Sequence, residues 1–124
     1  MMSWIFLILG SVAGGTARYA VTHVTHHRLG FHFPFGTLLV NLSGCLLIGF
    51  LNSIADAKSW VGPNERLLLM TGFCGAFTTF SSFIMETSSL FHEGQPGFAC
   101  LNVTLSVVLG FLLFRLGAVV GRAI

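Results

Sequence analysis

Charge is scarce in this chain. Asp, Glu, Lys and Arg make up 8% of the 124 residues, where soluble domains carry about 25%, so an ordinary soluble fold is excluded. The formal net charge is only +2 and the basic residues are scattered, which excludes nucleic acid as a partner. Cysteine is sparse as well. Cys45, Cys74 and Cys100 lie inside apolar segments at unrelated spacings, so neither a disulfide framework nor a zinc site is expected, and the thiols read as free and buried. The few carboxylates and histidines fall in loops or near span ends with no paired nucleophile and base, so no enzyme is expected. Nor does the start read as a signal peptide: Met1-Met2-Ser3-Trp4 has no basic residue ahead of an apolar run that continues past Gly14.

What the chain has is apolar length. Hydrophobic residues make up 54% of it, and a membrane-spanning helix needs about 20 of them in a row. Four spans fit, at about residues 3–22, 36–55, 65–91 and 98–120, with no room for a soluble domain. The expectation is an all-α membrane protein whose single domain, 1–124, keeps its chemistry within the lipid bilayer. Four spans place both termini and the 56–64 loop on one side, with Lys58, Arg66 and Arg122, and leave Arg18 and Arg28 on the other. Because lysine and arginine asymmetry sets orientation, so even a balance predicts insertion both ways round and an antiparallel dual-topology homodimer. A protomer this small has little interior of its own, so lining a pathway calls for a second copy.

The third span is the unusual one. Gly72-Phe73-Cys74-Gly75-Ala76-Phe77-Thr78-Thr79-Phe80-Ser81-Ser82-Phe83 places glycines, hydroxyls and aromatics in mid-membrane. Glycine costs a helix about 1 kcal/mol relative to alanine, and threonine is β-branched, so this run predicts a helix broken at its centre. Unpaired backbone groups survive in hydrocarbon only when buried in protein or lining a wet cavity, and transporters use such freed carbonyls to hold cations. Residues 75–79 therefore form a candidate cation cage; close helix packing through small residues is the alternative. Three residues apart, Phe80 and Phe83 share a helix face, and Thr79 and Glu86 continue the stripe.

Elsewhere, single polar residues stand out. Asn41, well inside span two, either joins two helices by hydrogen bonding or points its amide into a polar pathway. Arg18, near the end of span one, either snorkels to the headgroups or sits at a pore mouth and draws anions inward. Glu86 reads first as a solvated interfacial carboxylate, with a vestibule role as the alternative. Asn102 and Ser106, four apart, share a face of span four. Residues 22–35 read as a polar loop ending near Pro34, with partial helix as the alternative. Its His23, His26 and His27 have a metal-compatible spacing, but no carboxylate or cysteine lies near them in sequence, and no metal is expected there.

Three motifs, Gly14-Gly15-Thr16-Ala17-Arg18-Tyr19, Gly36-Thr37-Leu38-Leu39-Val40-Asn41 and the third-span run, together resemble the Fluc (CrcB) family of bacterial fluoride channels over nearly the whole chain. The resemblance implies a dual-topology antiparallel homodimer with two fluoride pores, exporting fluoride passively across the bacterial inner membrane. It also implies a structural sodium ion on the dimer axis, held by backbone carbonyls at the positions matching Gly75 and Thr78. By the same resemblance Phe80 and Phe83 belong to a phenylalanine box, Asn41 is a pore-lining donor, Arg18 is the basic residue of the first motif, and Thr104 and Ser106 fall in a polar track on span four.

The residues are chemically compatible with that reading. A phenyl edge is weakly electropositive and faces an anion without trapping it, while Asn41, Thr79, Ser81 and Ser82 offer donors that replace part of fluoride's hydration shell. Two other classes compete. A dual-topology small multidrug or cation transporter matches in size and span count, but would carry an acidic residue deep in its first span, and span one has none. A membrane scaffold packed through small residues explains the glycines but not the Thr78-Thr79-Phe80-Ser81-Ser82-Phe83 run.

Overall fold

The computed structural model describes residues 2–58 and 61–124, and over these it is helical with no strand. Helix α1 covers Met2–Leu29 and α2 covers Phe35–Ala57. The third span, Pro63–His92, is assembled from α3 (Pro63–Arg66), a π-helical stretch Leu67–Cys74, α4 (Gly75–Phe77) and α5 (Phe80–His92). Helix α6, Pro96–Ala123, is the fourth span. Four segments of the described chain are thus long and apolar enough to cross a membrane.

Helix α1 runs on to Leu29, so most of the segment from residue 22 that read as a loop, or as partly helical, continues the first helix. Hydropathy marks where the hydrocarbon ends, not where the helix does. The Thr22 and Thr25 hydroxyls donate to carbonyls one turn back, at 3.0 Å to Arg18 O and 2.6 Å to Val21 O. Along one side Tyr19 stacks on His23, and His23 meets His27 edge to face, with ring centroids 5.8 and 4.5 Å apart. His26, His27 and Arg28 in the last turn suit the negative end of the helix dipole. The stop comes at Gly30, whose φ of +77° ends the helix in the left-handed region.

The span ends obey similar local rules. Pro63 and Pro96 occupy the first turns of their helices, where a missing N–H costs nothing. Helix α5 closes with Gly94 at φ +72°, its N–H bonded to Phe91 O while Gln95 N–H reaches Leu90 O at 2.9 Å, a Schellman turn.

Packing is pairwise: α1 lies against the third span, and α2 lies against α6. Backbones meet directly in both pairs. A Cβ on Gly10 or Gly14 would collide with the carbonyls of Leu68 and Phe73, and one on Gly49 or Gly117 with those of Phe114 and Leu46. Small residues allow this approach, the usual basis of helix association in lipid. The protomer is nonetheless thin, for 33% of the apolar window of α2 is buried but only 11% of those of α1 and α6. Most of its apolar surface therefore faces lipid or another chain.

Candidate ion pathway at the third span

Between α4 and α5, Thr78 (φ −83°, ψ 158°) and Thr79 (φ −149°, ψ 117°) have extended backbone. Asn41 of α2 accounts for it. Its Oδ1 accepts the Thr79 N–H at 2.8 Å, and its Nδ2 donates to the Thr79 carbonyl at 3.0 Å. The amide thereby pairs both backbone groups of an extended residue, as a neighbouring strand would. Opposite-sense bonds to an N–H and a C=O also fix which way the amide faces. Gly44, one turn further along α2, makes room, since a Cβ there would overlap Thr78 Cγ2.

Thr79 also starts α5. Its Oγ1 accepts the Ser82 N–H at 3.2 Å as an N-cap and donates to Ser82 Oγ at 3.1 Å, with Ser81 Oγ 3.4 Å away. Three hydroxyls thus cluster at the positive end of α5, an end that favours negative charge. On the other side of the threonines the ladder is interrupted. In a continuous helix the Gly75 carbonyl would accept from Thr79 N–H and the Thr78 carbonyl from Ser82 N–H, but those donors are bonded to Asn41 and to the Thr79 side chain. Both carbonyls are free of their helical partners, and a set of carbonyl oxygens is the chemistry that hard cations take. The residues present fit a sodium ion in that respect. A Cβ on Gly75 would meet nothing within 4 Å in the protomer.

An open groove of about 290 Å³ brings together Asn41, Gly75, Thr78, Thr79 and Phe80. Phe80 is 75% exposed, whereas Phe83 is 8% exposed, and their rings lie 5.8 Å apart between centroids at an interplanar angle of 41°. The shared stripe expected from their spacing thus has one ring inside the protomer and one outside. Phe83 is held from behind: Asn102 Nδ2 donates to Thr87 Oγ1 at 2.9 Å, and Thr87 donates to the Phe83 carbonyl at 2.7 Å. Asn102 is 1% exposed, so its place is structural. Thr87 escaped the sequence reading, although its position four residues beyond Phe83 on one helix face was a usable signal.

Of the other residues singled out by the sequence, Ser81, Ser82, Phe83, Arg18, Glu86 and Ser106 do not line that groove. Arg18 is half-buried, and Ser106 Oγ is buried without a partner among the described residues. Glu86 differs from the solvated carboxylate favoured by the sequence. Thr37 donates to its Oε1 at 2.7 Å, and Oε2 is buried with no partner among the described residues. It also lines a cavity of about 190 Å³ with His26 and Glu93, so a histidine with no acid near it in sequence has two nearby in space.

These features define a small helical membrane protein of four spans, with its polar groups gathered at the middle of the third and against the second. Residues 5–118 match the family described as CrcB-like protein, Camphor Resistance (CrcB), and the chain belongs to that family. It is 44% identical over 125 residues to the fluoride-specific ion channel FluC of Methylocella silvestris, covering 99% of this chain and 95% of the relative. It is 43% identical to that of Acidobacterium capsulatum, covering 99% and 98%. Over 108 residues it is 47% identical to that of Chlorobium phaeobacteroides, covering 87% and 84%.

Proposed function

We propose that the chain is the protomer of a passive fluoride channel that exports fluoride across the bacterial inner membrane. The observation that carries this reading is the Asn41–Thr79 pairing, because it turns mid-membrane backbone into two half-helix ends of opposite polarity. The positive end of α5, with the hydroxyls of Thr79, Ser81 and Ser82, suits an anion; the freed carbonyls of Gly75 and Thr78 suit a cation.

Fluoride gives up water only for donors of comparable strength. The Thr79 proton is committed to Ser82, which leaves the Ser81 and Ser82 hydroxyl protons and the second amide hydrogen of Asn41 to serve the ion. Phe80 and Phe83 add ring edges, electropositive but uncharged, so fluoride is stabilised without being trapped. Arg18 and Glu86 stand away from the groove, as a basic attractor and a vestibule carboxylate, and Ser106 supplies a further hydroxyl on the fourth span.

Sodium bound by Gly75 and Thr78 carbonyls lends fixed positive charge and rigidity to the broken third helix, and takes no part in conduction. The openness of the Phe80 side and the thinness of the protomer support an antiparallel homodimer, in which the second copy closes the groove. In a strain lacking its own fluoride exporter, the chain should restore growth in raised fluoride. Two variants biased to opposite orientations by added lysines should restore it only together; full restoration by either alone would overturn the antiparallel pairing.

A further inference from the structure

A second polar cavity, of about 370 Å³, lies between the C-terminal ends of α2 and α6, on the membrane side that also carries the start of the third span. Arg115 and Arg122 line it from α6, and Asn52, Ser53 and Asp56 line it from α2. Seven residues apart, the two arginines lie on nearly the same face, about 10 Å apart along the axis. Helix α6 has 28 residues, about 42 Å, and so overhangs a hydrocarbon layer of about 30 Å by roughly 6 Å at each end. Arg115 thus starts about 7 Å inside the hydrocarbon, within reach of the headgroup level by snorkelling, and Arg122 starts in that level.

The cavity's one carboxylate is already engaged. Asp56 Oδ1 is 3.3 Å from Arg66 Nη2, and Oδ2 accepts from Asn52 Nδ2 at 3.2 Å. Arg66 is further tied to the Ala55 carbonyl. Among the described residues Arg115 and Arg122 have neither an ion-pair nor a hydrogen-bond partner. Ser53, only 6% exposed, also makes no side-chain hydrogen bond there. Two guanidinium groups without a protein partner among the described residues and the Ser53 hydroxyl thus line one cavity near the edge of the hydrocarbon.

We propose that this cavity is a binding site for the phosphate headgroup of an anionic phospholipid, with Arg115 and Arg122 holding the phosphate oxygens and Ser53 contributing a neutral hydrogen bond. Planar guanidinium donors match phosphate geometry in a way that ammonium groups do not. The site is separate from the Asn41–Phe80 groove and does not depend on which ion the groove carries.

The test is native mass spectrometry of the full-length protein in detergent, titrated with phosphatidylglycerol and with phosphatidylcholine of the same acyl chains. Phosphatidylglycerol should be retained about tenfold better, as expected when basic side chains act on one anionic headgroup. R115Q/R122Q should abolish that preference, and R115K/R122K should keep part of it. If the double glutamine variant does not fold, R122Q alone, in the last turn of α6, should still reduce the preference. Equal retention of the two lipids, or a preference unchanged in every glutamine variant, overturns the proposal. Displacement of bound phosphatidylglycerol by inorganic phosphate at equal concentration would mean a soluble anion's site, and overturns it too.

Discussion

The side-chain amide of Asn41 pairs with both backbone polar groups of Thr79, at 2.8 Å to the N–H and 3.0 Å to the carbonyl. An extended pair of residues in the middle of a span would otherwise leave unpaired groups in a setting without water, each costing several kcal/mol. Asn41→Ala removes both partners at once. It should lower unfolding stability in detergent by about 2–6 kcal/mol, given about 1–3 kcal/mol for each of the two orphaned groups, and Asn41→Asp should recover only the N–H bond. An Asn41→Ala protein as stable as its parent would show that the pairing contributes nothing.

Gly44 and Thr78 make a more local test. A Cβ at residue 44 overlaps Thr78 Cγ2, so Gly44→Ala should push the extended residues off α2 at a cost of about 1–3 kcal/mol, typical of overpacking. Thr78→Ser removes the offending methyl and keeps the hydroxyl, which donates to Cys74 O at 2.9 Å. The double variant should regain most of the loss in thermal melts. Strict additivity of the two substitutions would argue against direct contact.

Phe80 and Phe83 separate shape from ring electrostatics. Isoleucine keeps apolar bulk and removes the quadrupole, so Phe80→Ile or Phe83→Ile should each cut fluoride flux by roughly two- to tenfold, and the double variant by roughly tenfold or more, since ring contacts are worth about 0.5–1.5 kcal/mol each. Phe111, exposed on α6, should tolerate the same change. Flux at the parent rate in both isoleucine variants would make the rings packing residues.

The sodium reading predicts an asymmetry at its two carbonyl donors. The Gly75 Cβ direction is open in the protomer, so Gly75→Val should not unfold it, yet a side chain there would crowd the cage and the facing copy. Melting in sodium should exceed melting in a sodium-free organic-cation buffer for the parent, and the difference should vanish in Gly75→Val. Identical melting of the parent in both buffers would remove sodium from the account.

Much of this architecture could be read from residue order because lipid imposes few solutions. Apolar length gave four spans, and Gly72, Gly75, Thr78 and Thr79 drew attention to the middle of the third, where the two glycines are helical and the two threonines have extended backbone. Contacts across the fold were less legible. Asn41 was left with two open roles because its partner lies 38 residues away, and Glu86 looked solvated because Thr37 and His26 are distant in sequence. The end of α1 was misplaced for another reason: hydropathy falls at residue 22, whereas helical hydrogen bonding continues until Gly30 offers a left-handed stop. Phe80 and Phe83 share a spacing but not an environment, and only packing separates them.

The central claim is that the polar groups around Asn41 and Thr79 pass fluoride down its gradient. Proteoliposomes loaded with potassium fluoride and clamped with valinomycin, read by a fluoride electrode, test it most directly. The account predicts rapid efflux that needs neither a proton gradient nor another coupling ion, and that falls by roughly tenfold or more when Phe80 and Phe83 are both changed to isoleucine. Efflux no faster than from protein-free liposomes, or efflux only when a proton gradient is imposed, would contradict it.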